Sequence, residues 1–358
     1  MINVTKTFLP DPEEYLQQLK RVWETGWVTN RGELVNELES KLTEFLSIDN
    51  ILLVNNGTIA LQLAIKALGL TGEIITTPFS YVATVSSIVW EGCVPVFVDI
   101  DPNYLTIDET KIQNAITEQT CAILATHVYG NPCAVKEIEK IAEQNNLYVI
   151  YDAAHCFGVK YQGQSLLKWG DISTLSFHAT KLFHTGEGGA ITSNRQEVNH
   201  RIFYMHNFGH NGPEGFFGLG INGKLSELNA AMGLAVLPYI PELIAHRKII
   251  YHQYCDQLRH QDLSMINVRP DTEWNYCYFP VLLTSESQLL SVKKRLNEKN
   301  IFPRRYFYPS LNNLPYAKAA DSCPIAEDIS RRVLCLPMFA GLEPESVRKI
   351  SDCILEAL

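Results

Sequence analysis

Between residues 51 and 193 the chain alternates short apolar runs rich in β-branched residues with stretches whose apolar positions recur every three or four residues. Strands of the first kind are buried on both faces, and helices of the second kind cover them. The pattern predicts an α/β fold with a mostly parallel seven-stranded sheet. Its strand-like runs fall at residues 51–54, 74–77, 94–99, 121–126, 147–151, 174–177 and 190–193. Helical faces are formed by Val35, Leu38, Leu42, Phe45 and Leu46, by Ala60, Leu61, Ala64, Ile65 and Leu68, and by residues 84–90 and 134–144. Pro238 and Pro241 punctuate a helix–helix junction. We expect a large domain over residues 1–238 and a smaller C-terminal α+β domain over 239–358. The smaller one should hold a long helix over 242–258, a strand over 276–283, and helices over 286–299, 326–333 and 343–355.

The 358 residues carry 30 basic against 39 acidic side chains, a net charge of −9, which argues against a nucleic-acid partner. No segment reaches the roughly 20 consecutive apolar residues of a membrane helix, and residues 1–10 lack a signal-peptide layout. The expectation is a soluble cytoplasmic protein without a membrane partner. Nine cysteines stand singly, which disfavours a disulfide framework or a zinc site. His206 and His210 have a helix-style ligand spacing, but Gly209 interrupts it, so no metal is expected.

Ligands of open α/β sheets sit beyond the carboxyl ends of the strands, and four signals lie there. Ser176-Phe177-His178-Ala179-Thr180-Lys181, followed by Gly186-Glu187-Gly188-Gly189, brings a lysine from a strand into a glycine-rich loop. A nucleophilic lysine needs desolvation or a nearby cation; the same residue also reads as a surface lysine beside a turn. Asp152, leaving the run 147–151, suits a carboxylate partner for a cofactor nitrogen, and equally a turn cap. Asn56-Gly57-Thr58 opens a helix, where phosphate binds or Thr58 serves as N-cap. Tyr81 follows a strand and either stacks on a flat ligand or packs in the core.

The order of these signals resembles the DegT/DnrJ/EryC1/StrS family over nearly the whole chain. Further similar segments are Gly26-Trp27-Val28-Thr29-Asn30, Pro78 to Thr84, Pro95-Val96-Phe97-Val98-Asp99, His127-Val128-Tyr129-Gly130 and Asp152-Ala153-Ala154-His155. Gly220-Ile221-Asn222, Ser226-Glu227-Leu228 and Leu336-Pro337-Met338 complete them. The resemblance implies a fold-type I aminotransferase dependent on pyridoxal 5′-phosphate (PLP). Lys181 would be its Schiff-base lysine and Asp152 the partner of the pyridine nitrogen. His155 would lie near the phenolic oxygen, and Tyr81 would stack on the ring. Gly57, Thr58 and Ser176 would hold the phosphate, with Asn222 reaching it from the second subunit of a homodimer with shared sites.

The implied substrates are a nucleotide-linked keto-sugar and L-glutamate. Thr29, Asn30, His178, Arg304 and Tyr306 are the candidate substrate contacts; Arg304 and Arg305 read equally as surface charges. The segment from His206 to Lys224 is similar to family members that aminate C4 of dTDP-4-keto-6-deoxyglucose. A C3 aminotransferase and a non-catalytic regulator are the alternatives. Two departures stand out: Ala179 where many relatives have proline, and Gly223-Lys224 where many have Tyr-Arg. The dehydratase branch has His at the position of Lys181. A desulfurase would need a mobile cysteine, for which Cys323 in Asp321-Ser322-Cys323-Pro324 is the loop candidate.

Overall fold

The computed structural model describes residues 1–317 and 322–358. Seven strands form the main sheet: β1 (Leu52–Val54), β2 (Glu73–Thr76), β3 (Val94–Phe97), β4 (Thr120–Thr126), β5 (Tyr148–Asp152), β6 (Ile172–Ser176) and β7 (Gly189–Ser193). Their spatial order is β1-β7-β6-β5-β4-β2-β3. Neighbours from β3 to β6 run parallel, whereas β7 lies antiparallel between β6 and β1. The strand order reverses between β2 and β4. A crevice therefore opens at their carboxyl ends, because the crossover connections leave to opposite sides.

Helices cover both faces. The first, α1 (Pro12–Thr25), is capped by Asp11, which accepts the N–H of Glu13. It is followed by α2 (Glu33–Leu46), α3 (Gly57–Ala67), α4 (Val82–Trp90), α5 (Glu109–Ala115), α6 (Val135–Asn145), α7 (Gln196–Met205) and α8 (Glu227–Val236). One face of α2 buries Leu34, Val35, Leu38, Leu42 and Leu46. Its N-terminal amides at Gly32 and Leu34 donate to the buried Glu227 carboxylate of α8. On α3, Ala60, Leu61, Leu63, Ala64, Ile65 and Ala67 are all buried, since the helix lies between the sheet, α4 and α7.

A 3₁₀ turn, Leu237–Tyr239, joins α8 to α9 (Ile240–Gln257). Together Glu227–Gln257 make a helical run of 31 residues long and apolar enough to cross a membrane. Polar and charged residues such as Glu242, Arg247 and Lys248 interrupt the run, so it holds no 20 consecutive apolar residues. Half of its apolar window is buried inside the protein, as core packing demands. Near its start α9 packs Ile240 and Leu243 into the main core, and further on it packs Ile250 and Tyr254 into a second one. That second core lies against an antiparallel sheet of β8 (Leu263–Met265), β9 (Phe279–Leu283) and β10 (Val333–Leu336). It is closed by α10 (Glu286–Glu298) and α12 (Pro344–Leu355), while α11 (Pro324–Arg332) packs Ala326 and Ile329 into a separate cluster with Phe79, Val85 and Phe97.

Two strands are shorter than their apolar runs. β9 starts at Phe279 rather than residue 276, because Tyr276 has φ 53°, incompatible with a strand. β3 stops at Phe97, and Asp99 instead accepts the N–H groups of Ile325 and Ala326 at the start of α11.

Candidate active site

A cavity of about 580 Å³ opens at the strand reversal. Its floor is built by strand ends: Thr126 closes β4, Asp152 closes β5 and Ser176 closes β6. Thr126 and Asp152 are register partners, so their side chains emerge on the same side of the sheet.

The anion-binding end is the start of α3. Asn56 is the N-cap, and its side chain accepts the N–H of Ile59 at 2.8 Å. Gly57 and Thr58, whose N–H groups a helix cannot use internally, line the cavity. A Cβ on Gly57 would sit 3.0 Å from Ser176 Cβ, and one on Gly189 only 2.5 Å from the Asn56 carbonyl carbon. Glycine at these two places lets strand and helix backbone meet around a small anion.

Asp152 is 5% exposed. Its hydrogen-bond partners are both neutral: the Thr84 hydroxyl at 2.7 Å and the Ala154 N–H at 3.1 Å. Burial raises its carboxyl above the usual range, against those two bonds and the Lys181 charge. A buried carboxylate held only by neutral donors suits a cationic ligand nitrogen.

Lys181 sits in the turn after β6, whose backbone is closed by Lys181 N–H to His178 O at 2.8 Å and Thr185 N–H to Phe177 O at 3.0 Å. Burial pushes its ammonium below the ordinary lysine range, opposed by Asp152. A larger neutral fraction makes the amine a nucleophile. His155 is buried, and burial together with Lys181 holds it well below the usual imidazole range. Its ring lies 3° from parallel to those of both Tyr129 and Phe307.

Tyr81 lines the cavity and is 53% exposed, with its ring 6.4 Å from that of Phe307. His178 also lines the cavity, its Nδ1 2.8 Å from the Thr180 hydroxyl and its Nε2 3.6 Å from Glu187. Arg304 and Tyr306 line the cavity as well, with the guanidinium 4.7 Å from the Tyr306 ring centre. Arg305 turns away, pairing with Glu286 at 2.7 Å and lying over Tyr308. Thr29, Asn30 and Asn222 do not line this cavity. The Asn222 side chain accepts from Lys224 Nζ at 2.7 Å.

Ser80, Thr84, Thr126, Glu187, Tyr278 and Phe307 also belong to the site or its immediate support, and local spacing does not single them out. Ser80 and Thr84 stand in a segment read only for Tyr81. Cys323 is buried at the start of α11 and does not line the cavity; Asp321 lies outside the described residues. Among the described residues no group of three or more His, Cys, Asp and Glu is placed to hold a metal.

The family model described as "DegT/DnrJ/EryC1/StrS aminotransferase family" matches residues 11–355. The dTDP-4-amino-4,6-dideoxy-D-glucose transaminase of Shigella dysenteriae is 44% identical over 361 residues, covering 99% of this chain and 98% of that protein. The transaminase of the same description from Escherichia coli is 41% identical, with 99% and 98% covered. Among solved structures, DesI in the presence of its TDP-sugar product superposes with a TM-score of 0.94 at 31% identity, over 99% of this chain and 93% of that one.

Proposed function

The chain belongs to the DegT/DnrJ/EryC1/StrS aminotransferase family, whose members depend on PLP, and from that premise we propose that it aminates C4 of dTDP-4-keto-6-deoxyglucose with L-glutamate as donor. The observation that carries the reading is the meeting of Lys181, Asp152 and the start of α3 on one cavity. The choice of sugar follows the relatives described as transaminases of that product.

The cavity fits the cofactor at both ends. Gly57, Thr58 and Ser176 would hold its phosphate at the cradle that a Cβ would fill. Asp152 would hold the proton on its pyridine nitrogen. When bound, PLP supplies an aldehyde that condenses with amines and a ring that absorbs carbanion charge.

The chain's own residues do the rest. Asp152 keeps its negative charge at a buried position, where a charge pair is worth more than in water. Lys181 Nζ takes a proton from one carbon and returns it to another, with C4 of the sugar as acceptor. His155 orients by donating from Nε2, and Tyr81 supplies a flat apolar face. Arg304, the arginine that faces the cavity, pairs with an anionic part of the substrate. His178 and Tyr306 complete the substrate wall.

The proposal includes a homodimer in which Asn222 of one copy reaches the phosphate end of the other's cavity, and it keeps Thr29 and Asn30 as substrate contacts. It also includes a cytoplasmic setting and the division of the chain into units 1–238 and 239–358. The test is an assay of the purified chain with glutamate against dTDP-, UDP- and GDP-linked keto-sugars. Nitrogen at C4 of the dTDP sugar is expected; nitrogen at C3, or activity confined to UDP-sugars, overturns it.

A further inference from the structure

Asp152 stands at the end of a line of hydroxyls. Thr84 Oγ1 lies 2.7 Å from Asp152 Oδ2, Ser80 Oγ lies 2.7 Å from Thr84 Oγ1, and Thr126 Oγ1 lies 2.9 Å from Ser80 Oγ. All three hydroxyl residues are buried. They come from three places: the loop after β2, the first turn of α4 and the end of β4.

The direction of the line follows from proton counting. An ionised carboxylate only accepts, so the single Thr84 proton goes to Asp152. Thr84 oxygen must then accept from Ser80, and Ser80 oxygen from Thr126. Each hydroxyl that donates becomes a stronger donor when it also accepts, because the bonds polarise one another in a low-dielectric interior.

We propose that Ser80 and Thr126 are positioning residues for the reaction: with Thr84 they form a directed donor chain, Thr126 to Ser80 to Thr84 to Asp152, that keeps the Asp152 carboxylate charged for the cofactor's pyridine nitrogen. The inference rests on the PLP-dependent reading above. Neither Ser80 nor Thr126 need touch the reacting atoms; both act through Thr84. The chain also explains why three hydroxyls are buried side by side where aliphatic residues of the same volume would pack without a polar atom.

The test uses the holoenzyme loaded with PLP carrying ¹⁵N at the pyridine position. Its ¹⁵N shift is followed against pH beside the rate of the glutamate half-reaction. The expected order of effect is Thr126→Val, then Ser80→Ala, then Thr84→Val. The ring nitrogen should lose its proton at lower pH, by on the order of half a pH unit for the first two. The half-reaction should slow about threefold for those two and about ten- to a hundredfold for Thr84→Val. Thr126→Ser and Thr84→Ser, which keep the hydroxyl, should restore both readouts.

Adding Ser80→Ala to Asp152→Asn should change nothing further, since no carboxylate charge is left for the chain to hold. The proposal is overturned if folded Ser80→Ala and Thr126→Val holoenzymes titrate as wild type, or if the Ser80→Ala effect persists undiminished beside Asp152→Asn. Should Ser80→Ala fail to fold, the Thr126→Val and Thr126→Ser pair decides. A wild-type chain that takes up no PLP overturns the cofactor reading itself, an outcome distinct from a holoenzyme with an unchanged titration.

Discussion

The backbone N–H of Tyr129 donates to His155 Nδ1 at 3.0 Å. An imidazole nitrogen that accepts has no proton, so the neutral ring carries its proton on Nε2. Burial and the Lys181 charge both disfavour the doubly protonated form. Tyr129 reaches this position through a left-handed backbone, φ 56°, within the turn after β4.

His155 is therefore expected to act as a fixed hydrogen-bond donor. His155→Gln, which also donates, should keep kcat within about tenfold of wild type. His155→Phe keeps the flat shape but not the proton, and should lose about ten- to a hundredfold. The cofactor absorbance band should move for Phe more than for Gln. Equal rates for the two variants would show that shape alone matters.

Lys181→Ala should abolish covalent attachment of PLP and lower transamination by at least ~10²-fold. Non-covalent binding should persist through Gly57, Thr58 and Ser176, so that dialysis strips the cofactor from the variant but not from wild type. Substantial turnover by the variant would end the assignment of Lys181.

Asp152→Asn leaves the hydrogen bond from Thr84 in place but removes the charge. A neutral amide cannot hold a pyridine nitrogen protonated, and turnover should fall at least ~10²-fold, a few kcal/mol of barrier. Near-normal turnover, measured at saturating substrate, would reduce Asp152 to a turn cap.

Subunit sharing has a direct test. Lys181→Ala chains mixed with chains carrying a disabling Asn222 substitution should gain activity over either parent once subunits exchange. Each mixed dimer then holds one intact site and one doubly damaged site. Mixed dimers that demonstrably form without any gain would place Asn222 in its own chain's chemistry or in none.

Acid stability should depend on His127. Burial pushes this imidazole from 6.5 down to about 3. In the unfolded chain it takes up a proton near its ordinary value, so between those two pH values the unfolded state binds more protons. Stability present above pH 6.5 is thus lost as pH falls toward 3, at about 1.4 kcal/mol per pH unit from this group. His127→Asn keeps an acceptor for the Cys133 N–H but gives up the stack on Tyr151, 4.4 Å between ring centres. The variant should be less stable at pH 7 and decline less steeply in urea titrations between pH 6 and 4.5. An unchanged slope would exclude a buried neutral His127.

The layer architecture is legible in the sequence because burial on both faces leaves a local mark. Runs such as Cys121 to Thr126 cannot be anything but interior strand once helices flank them, and β4 forms at Thr120–Thr126. The anion end is legible for the same reason: Asn56, Gly57 and Thr58 are adjacent, and an N-cap is a local structure. The edges of elements are less so. Tyr276 has the composition of a strand residue, but the chain turns there.

Sequence by itself thus determines the class of fold and the adjacent residues that bind or cap at the start of α3. Only the tertiary structure decides the order β1-β7-β6-β5-β4-β2-β3, with β7 reversed between β6 and β1. It alone brings Thr126 beside Asp152 and carries Ser80 and Thr84 in from another connection. It alone turns Arg304 toward the cavity and Arg305 toward Glu286. The physical reason is range. Apolar period and caps are set by neighbours a few residues away, whereas strand order and cross-strand register are set by contacts tens of residues apart, which leave no periodic trace in the chain.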